Sequence, residues 1–186
     1  MKIILIIWIL FLWGQLLAGP DNVRVVYGTN ILPNGQFDKT EWQDAVVAEA
    51  DDKLLLHFKQ DSSYLYIGIE FADTMHTGID LYLAESSDKR KMLHVSSAIG
   101  ESEYSSNEWL DINWGGNEYW IANSIGSIYV DGKKEVVPLE GFEFQIDKSM
   151  FEKDEWYMMI HLKRPEYFYP ESATTESIEQ WIKILM

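Results

Sequence analysis

Short runs of alternating apolar and polar residues, separated by turn residues, dominate the chain and constrain its fold. The clearest is YLYIGIEF at residues 64–71, rich in the aromatic and β-branched residues that favour strands. Comparable runs recur at residues 23–27, 45–48, 54–58, 78–83, 91–95, 119–122, 127–130, 142–146 and 156–162. Long helical periodicity is missing. The sequence therefore predicts an all-β fold, an antiparallel β-sandwich (jelly-roll or immunoglobulin-like) with short helical turns only.

Three local patterns refine this prediction. A charged turn at residues 85–88 separates the runs 78–83 and 91–95, so these two runs are expected to pair. Asp147, a residue type that caps helices, begins a predicted short helical turn between two strands. At the C-terminus, residues 181–185 fit a final strand, whereas a short amphipathic helix from Glu176 is the competing interpretation.

The N-terminus has a different pattern, which is typical of export. Lys2 precedes an unbroken apolar run at residues 3–13, and small residues follow before Pro20. Residues 1–19 are therefore predicted to be a secretory signal peptide, cleaved near Ala18 or Gly19. A retained anchor is the alternative, although the apolar run is short for a membrane-spanning helix. Residues 20–186 contain no repeat or linker, which predicts a single domain.

Charge and cysteine content narrow the location and the partners. Removal of residues 1–19, which hold one lysine and no other charged residue, would leave a net charge of −16 on 167 residues. Such acidity argues against binding to nucleic acid or, after signal removal, to anionic membranes, because both select for basic patches. The chain has no cysteine. This excludes thiolate catalysis and cysteine zinc sites, and it fits a secreted, periplasmic or cell-surface protein.

The stretch NGQFDKTEWQDA at residues 34–45 combines a turn with helix-capping chemistry. Asn34 and Gly35 form a turn dipeptide. Asp38 can accept backbone hydrogen bonds, and Glu41 follows it at the spacing of a capping box. Trp42 lies three residues before an alanine on the same helical face. The stretch therefore predicts a short helical turn with a buried tryptophan.

The order of these residues resembles the opening of family-nine-like carbohydrate-binding modules and the related DOMON-type domains. Residues 31–45 (ILPNGQFDKTEWQDA) carry the first match, and residues 59–70 (KQDSSYLYIGIE) and 76–83 (HTGIDLYL) carry two more. The resemblance extends by element order over about residues 23–185. It implies a single carbohydrate-binding-like β-sandwich whose face or loop end holds a sugar, often with a structural calcium ion.

An aromatic and polar segment at residues 105–120 is the main candidate for sugar binding. It contains Trp109, Trp114, Asn117, Tyr119 and Trp120. A flat aromatic ring can stack on the apolar face of a sugar, while Asn, Asp and Glu bond to its hydroxyl groups. The alternative is that these rings pack in the core or in a turn.

A second candidate lies at residues 72–80, which follow the clearest strand. His76 is a further candidate ligand-binding residue, and Asp73 and Asp80 could coordinate calcium, which prefers oxygen ligands. EF-hand spacing is absent, so a solvated loop with a histidine bonded to backbone is the alternative. Met92 and His94 share one face of a predicted strand, but core packing of Met92 and a half-exposed strand position for His94 are simpler explanations than haem ligation.

Motifs for catalysis are absent from the sequence. It has no His-Glu-x-x-His, no Gly-x-Ser-x-Gly and no phosphate-binding loop. We therefore expect an exported, non-catalytic module that binds a glycan or polysaccharide. Two alternatives stay open: a cell-envelope β-sandwich that binds another protein, and a small glycan-acting enzyme whose carboxylate pair the sequence does not single out.

Overall fold

Strands form almost all of the regular structure. The computed structural model describes residues 22–35, 37–38, 40–50, 52–75, 77–116, 118–124 and 127–186. The predicted signal peptide, His76 and Asn117 lie outside these ranges. The helical elements of the described chain are the 3-10 turns Lys148–Met150 and Ile178–Gln180, and none of its helices is long and apolar enough to cross a membrane. The predicted all-β fold is confirmed.

The strands are β1 (Asn22–Arg24), β2 (Val26–Tyr27), β3 (Val46–Glu49), β4 (Leu54–Gln60), β5 (Tyr64–Met75), β6 (Ile79–Ala84), β7 (Arg90–Val95), β8 (Ile99–Ser105), β9 (Glu108–Trp109), β10 (Asn113–Trp114), β11 (Trp120–Ala122), β12 (Ser127–Val130), β13 (Lys133–Val136), β14 (Leu139–Asp147), β15 (Glu155–Lys163), β16 (Glu166–Tyr169) and β17 (Ile182–Leu185). Sheet A has the order β1-β17-β15-β6-β7-β8-β10, with β16 on β15 and β9 on β8. Sheet B has the order β11-β14-β5-β4-β2, with β3 on β4, and β12 and β13 form a separate hairpin.

The two sheets pack face to face through the alternate residues of their long strands. Sheet B contributes residues such as Ile67 and Phe144, and sheet A contributes Leu81, Trp156 and Ile160, all of them fully buried. Successive side chains of a strand point to opposite faces, so each strand supplies every second residue to this core. The other half of each strand faces outward.

Most strand pairs are antiparallel, as predicted, but two edge pairs are not. The run 23–27 forms two strands, of which β1 pairs parallel to β17 in sheet A and β2 pairs parallel to β4 in sheet B. Val25, between them, is buried and its N–H donates to the Leu185 carbonyl at 2.8 Å. The N-terminal segment therefore passes from the edge of one sheet to the edge of the other.

The predictions for the charged turn, the Asp147 cap and the C-terminal strand are confirmed. Several other strands were missed. β6 and β7 pair antiparallel around residues 85–89, and Asp147 accepts a hydrogen bond from the Ser149 N–H at the start of the first 3-10 turn. The C-terminus contains both a 3-10 turn and a final strand. β8 (IGESEYS) and β16 (EYFY) were missed because their sequences lack a clear apolar alternation.

The stretch at residues 34–45 covers the outer face of sheet B. Trp42 is buried and stacks on Phe37, with ring centroids 5.9 Å apart and an interplanar angle of 17°. Both rings lie over glycines of the sheet. A Cβ atom on Gly68 would lie 2.9 Å from Phe37 Cε1, and one on Gly141 would lie 2.4 Å from Phe37 Cε2. The aromatic cover therefore requires these glycines.

A buried carboxylate holds this cover on the sheet. Glu143 of β14 is fully buried, and its Oε1 accepts a hydrogen bond from Trp42 Nε1 at 2.9 Å. Its Oε2 accepts bonds from the Asn34 and Gly35 N–H groups, both at 2.9 Å. The predicted turn with a buried tryptophan is thus confirmed. Asp38 bonds to the Thr40 N–H at 2.8 Å, two residues on, instead of the N–H three residues on that a capping box uses.

A buried lysine adds a second attachment. Lys59 is fully buried in β4, and its Nζ lies 2.8 Å from Asp44 Oδ1 and bonds to the Glu41 carbonyl. Burial raises the pKa of Asp44, but hydrogen bonds from Lys59 and Thr29 outweigh that effect and lower the pKa to about 2. The carboxylate is therefore charged at neutral pH and compensates the buried ammonium group.

Substitution of Glu143 tests the attachment of the cover. In Glu143→Gln one amide oxygen replaces two carboxylate oxygens, so at least one buried N–H donor loses its acceptor. We expect the free energy of unfolding to fall by about 2–4 kcal/mol, as measured by urea denaturation. The matched control Glu135→Gln, at an exposed position, should change it by less than about 0.5 kcal/mol. An equal effect of the two variants would contradict the attachment.

Candidate functional site

The outer face of sheet A carries a cluster of polar and charged side chains on three neighbouring strands. Strand register sets Asp80 of β6 directly opposite His94 of β7 and, on its other side, opposite His161 of β15. Residues directly opposite each other on neighbouring antiparallel strands lie within contact distance on the same face. Sequence separation hides this neighbourhood, since His94 and His161 are 67 residues apart.

Asp80 is the centre of this cluster. It is 4% exposed, and its Oδ1 lies 2.6 Å from His94 Nδ1 while its Oδ2 pairs with Lys163 Nζ. Burial raises the pKa of Asp80, but the bonds to His94 and Lys163 outweigh burial and hold the pKa below its usual range. Asp80 is therefore a carboxylate at neutral pH.

His161 lies beside this pair and differs from His94 in its surroundings. Its ring stacks on Phe168 of β16, with centroids 4.1 Å apart, and its Nδ1 lies 3.1 Å from Lys163 Nζ. Burial lowers the pKa of His161, and the nearby Lys163 charge lowers it further. His161 is thus a neutral, stacked imidazole at neutral pH.

The structure separates the four aromatic residues of the predicted sugar site. Trp120 is 3% exposed in the core, and its Nε1 donates to Glu101 Oε2 at 2.9 Å. Tyr119 is half-buried with a lysine ammonium over its ring. Trp109 is half-buried, with ring contacts to two tyrosines on the outer face of sheet A. Trp114 is 59% exposed, which makes it the most exposed of these four rings.

Trp114 lies at the edge of sheet A beside the polar cluster. It is paired with Gly100 of β8, which in turn is paired with His94. Its ring meets the His94 ring edge-on, with centroids 5.3 Å apart. A Cβ atom on Gly100 would lie 3.1 Å from Trp114 Cε3, so the absent side chain lets the indole lie close to the sheet.

The two carboxylates considered for calcium have different environments. Asp73 is exposed near the end of β5, whereas Asp80 is buried against His94 and Lys163. The described residues contain no group of three or more histidine, aspartate or glutamate side chains placed to hold a metal ion. His76 and Asn117, the other candidates, lie outside the described residues.

A cleft that the sequence did not indicate lies next to the cluster. β16 and β17 pair with different halves of the same edge of β15, and the cleft of about 1130 Å³ is lined largely by these strands and their connection. Its lining residues are Asn22, Ala50, Lys53, Tyr157, Glu166, Tyr167, Phe168, Tyr169, Pro170, Glu171, Ser172, Glu179, Gln180, Trp181, Ile182 and Lys183.

The walls of the cleft combine aromatic rings with charged and amide groups. Tyr157, Tyr167 and Phe168 are half-buried, so each shows part of its ring. Lys53 Nζ lies 5.2 Å from the centroid of the Tyr167 ring, and Lys183 Nζ lies 6.0 Å from that of Tyr157. The aromatic run Tyr-Phe-Tyr of β16 was the one sequence signal for this cleft. It was missed because the concave surface forms only when β16 and β17 both pair with β15.

Comparison with known proteins does not identify the chain. No family model matches the sequence, and no curated protein matches it. The resemblance to family-nine-like carbohydrate-binding modules therefore stays a prediction from the quoted motifs.

Substitutions of Asp80 and Asp73 test whether Asp80 only stabilises the fold or whether both carboxylates bind calcium. Asp80→Asn weakens the buried hydrogen bonds to His94 and Lys163, so we expect it to lower the free energy of unfolding by about 1–3 kcal/mol. Asp73→Asn, at an exposed position, should be within about 0.5 kcal/mol of the parent protein. Thermal or urea unfolding with and without calcium measures both. A calcium-dependent stability lost in both variants would instead support a shared metal site.

Proposed function

We propose that this protein binds a glycan in the cleft between β16 and β17. One observation carries the proposal: the lining of one cleft combines the half-buried rings of Tyr157 and Phe168, on the outer face of sheet A, and of Tyr167, on the opposite face of β16, with hydrogen-bonding groups. Sugars present apolar C–H faces ringed by hydroxyl groups, so they are bound by stacking together with several directional hydrogen bonds.

The size and charge of the cleft fit an uncharged oligosaccharide. A volume of about 1130 Å³ is slightly larger than the usual range for small-molecule pockets and has room for several sugar units. Acidic Glu166, Glu171 and Glu179 stand in the lining beside basic Lys53 and Lys183. Carboxylate and ammonium groups together bond both to the hydrogens and to the oxygens of hydroxyl groups.

Trp114 extends this proposal along the same face. Glu166 and Phe168 line the cleft and contact His161, and the Asp80 cluster continues from there to His94 and Trp114. The exposed Trp114 ring, at the end of this row of polar residues, is a second stacking position for a longer glycan. The export signal predicted at residues 1–19 would bring such a protein to extracellular or envelope polysaccharide.

Fluorescence titration tests this function, because Trp181 lies in the cleft wall. The folded protein, titrated with a panel of soluble neutral glycans, should show a saturable change with one glycan class. Tyr167→Ala should weaken the affinity about tenfold, which corresponds to about 1.4 kcal/mol of stacking. Tyr27→Ala removes an exposed ring from sheet B and should leave the affinity unchanged. A flat response across the panel would overturn the proposal.

Binding of an envelope protein is a second candidate function, favoured by one edge of sheet B. β2 and β3 lie along the same edge of β4 and expose Val26, Tyr27 and Val47, of which Tyr27 is 72% exposed. Edge strands have unpaired backbone groups, and exposed apolar side chains along such an edge favour pairing with another chain. A photo-crosslinking residue at Val47 should capture one envelope protein in cells, while the same residue at exposed Glu135 should not. Equal capture at both positions would reject this edge as the interface.

A further inference from the structure

Three side chains on the outer face of sheet A form a continuous hydrogen-bonded chain. Ser96 Oγ lies 2.9 Å from His94 Nε2, and His94 Nδ1 lies 2.6 Å from Asp80 Oδ1. Ser96 is half-buried, His94 is 12% exposed at its side chain, and Asp80 is buried. The order is hydroxyl, imidazole and buried carboxylate, which is the arrangement that activates a serine nucleophile.

Local backbone structure builds this chain. Ser96 follows the last residue of β7 and opens the turn to β8, where its N–H donates to the Ala98 carbonyl at 2.9 Å. The Ala98 N–H donates back to Ser96 Oγ at 3.2 Å, which holds the hydroxyl group in place. Because Ser96 stands two residues after His94, it lies on the same face. Asp80 reaches His94 from the neighbouring strand.

The position of each proton follows from the charges. Asp80 is ionised and can only accept, so its Oδ1 accepts the His94 Nδ1–H, and in the neutral imidazole that general-base catalysis requires, Nε2 is then the hydrogen-bond acceptor. The Ser96 hydroxyl group then donates to Nε2 at 2.9 Å, a shorter separation than its 3.3 Å to the Ala98 carbonyl. Lys163 pairs with the other oxygen of Asp80, which keeps that carboxylate charged and oriented.

We propose that Ser96 is a nucleophile, that His94 is its general base, and that Asp80 is a positioning residue for His94. The substrate class is a short-chain carboxylic ester. The 59% exposed ring of Trp114, edge-on to His94, supplies an apolar surface beside the imidazole for a small acyl group. This inference concerns a reactive group outside the cleft and does not depend on glycan binding.

The proposed reaction is hydrolysis of the ester through an acyl-serine, with water as the only co-substrate. Ser96 Oγ forms a bond to the ester carbonyl carbon while its proton passes to His94 Nε2. The bond from that carbon to the alcohol oxygen breaks, and the alcohol leaves with the proton from His94. Water then attacks the acyl-serine, His94 takes the water proton and returns it to Ser96 Oγ, and the carboxylic acid is released.

A fluorophosphonate probe tests the nucleophile directly. The folded protein, treated with excess probe and digested, should yield one phosphonylated peptide with the adduct on Ser96, identified by mass spectrometry. Ser96→Ala should lose the adduct and the hydrolysis of p-nitrophenyl acetate above background. Ser97→Ala, at an exposed position on the same turn, should keep both within twofold.

The roles of His94 and Asp80 have separate readouts. His94→Gln should slow phosphonylation by about 100-fold or more, the usual contribution of a general base. Asp80→Asn should also move the midpoint of the pH–rate profile to lower pH. The substitution removes the negative charge that stabilises protonated His94, while the positive charge of Lys163 remains and His161 stays nearby. A loss of fold would not produce such a shift. Near-UV circular dichroism confirms that each variant is folded.

Two results would overturn the inference. One is the absence of an adduct on Ser96 in folded protein under excess probe. The other is an adduct that forms equally fast in urea-unfolded protein or in His94→Gln, which would mean that the hydroxyl group is not activated by the fold. Glycan binding in the cleft is measured on unlabelled protein, so its failure and the failure of this inference are distinguishable.

Discussion

The buried carboxylate of Glu143 is the constraint on which the rest of sheet B depends. A fully buried charge is tolerated only when hydrogen bonds satisfy it, and here three donors come from the segment at residues 34–42. The segment must therefore lie across the sheet, and its two aromatic rings fit only because glycines stand beneath them. The sheet face, the glycines and the cover form one unit, so none of them can change alone.

The outer face of sheet A is covered by a different segment, and part of it stays accessible to solvent. Apolar residues of this face, among them Tyr82, Met92 and Met159, are covered by the C-terminal segment with Trp181. The neighbouring positions hold Asp80, which bonds to His94 and pairs with Lys163, and the neutral imidazole of His161 beside them. A polar surface that is partly open can receive a ligand, which is why both proposed activities lie on this face.

The sequence predicted the site less well than the fold, and individual residues show why. Alternation identified residues 64–71 and 156–162 as strands, because burial of one face imposes a period of two on them. The same alternation does not say which aromatic ring points inward. Trp114 and Trp120 stand six residues apart in one segment, yet one is exposed and the other lies in the core. The cleft and the Ser96–His94–Asp80 chain required strand pairing, which local patterns do not encode.

The sequence by itself determined the all-β class, the main strands, the capped turn at Asp147 and the structural role of Trp42. These features leave a pattern in the order of amino acids, as alternation in the strands, a capping residue at the turn and helical spacing around Trp42, although the partner that holds Trp42, Glu143, lies far away in the chain. Tertiary structure decided which strands share an edge, that β1 and β2 belong to different sheets, and that His94 and His161 both meet Asp80. Those facts depend on register between distant segments, and a shift by one residue would turn each side chain to the opposite face.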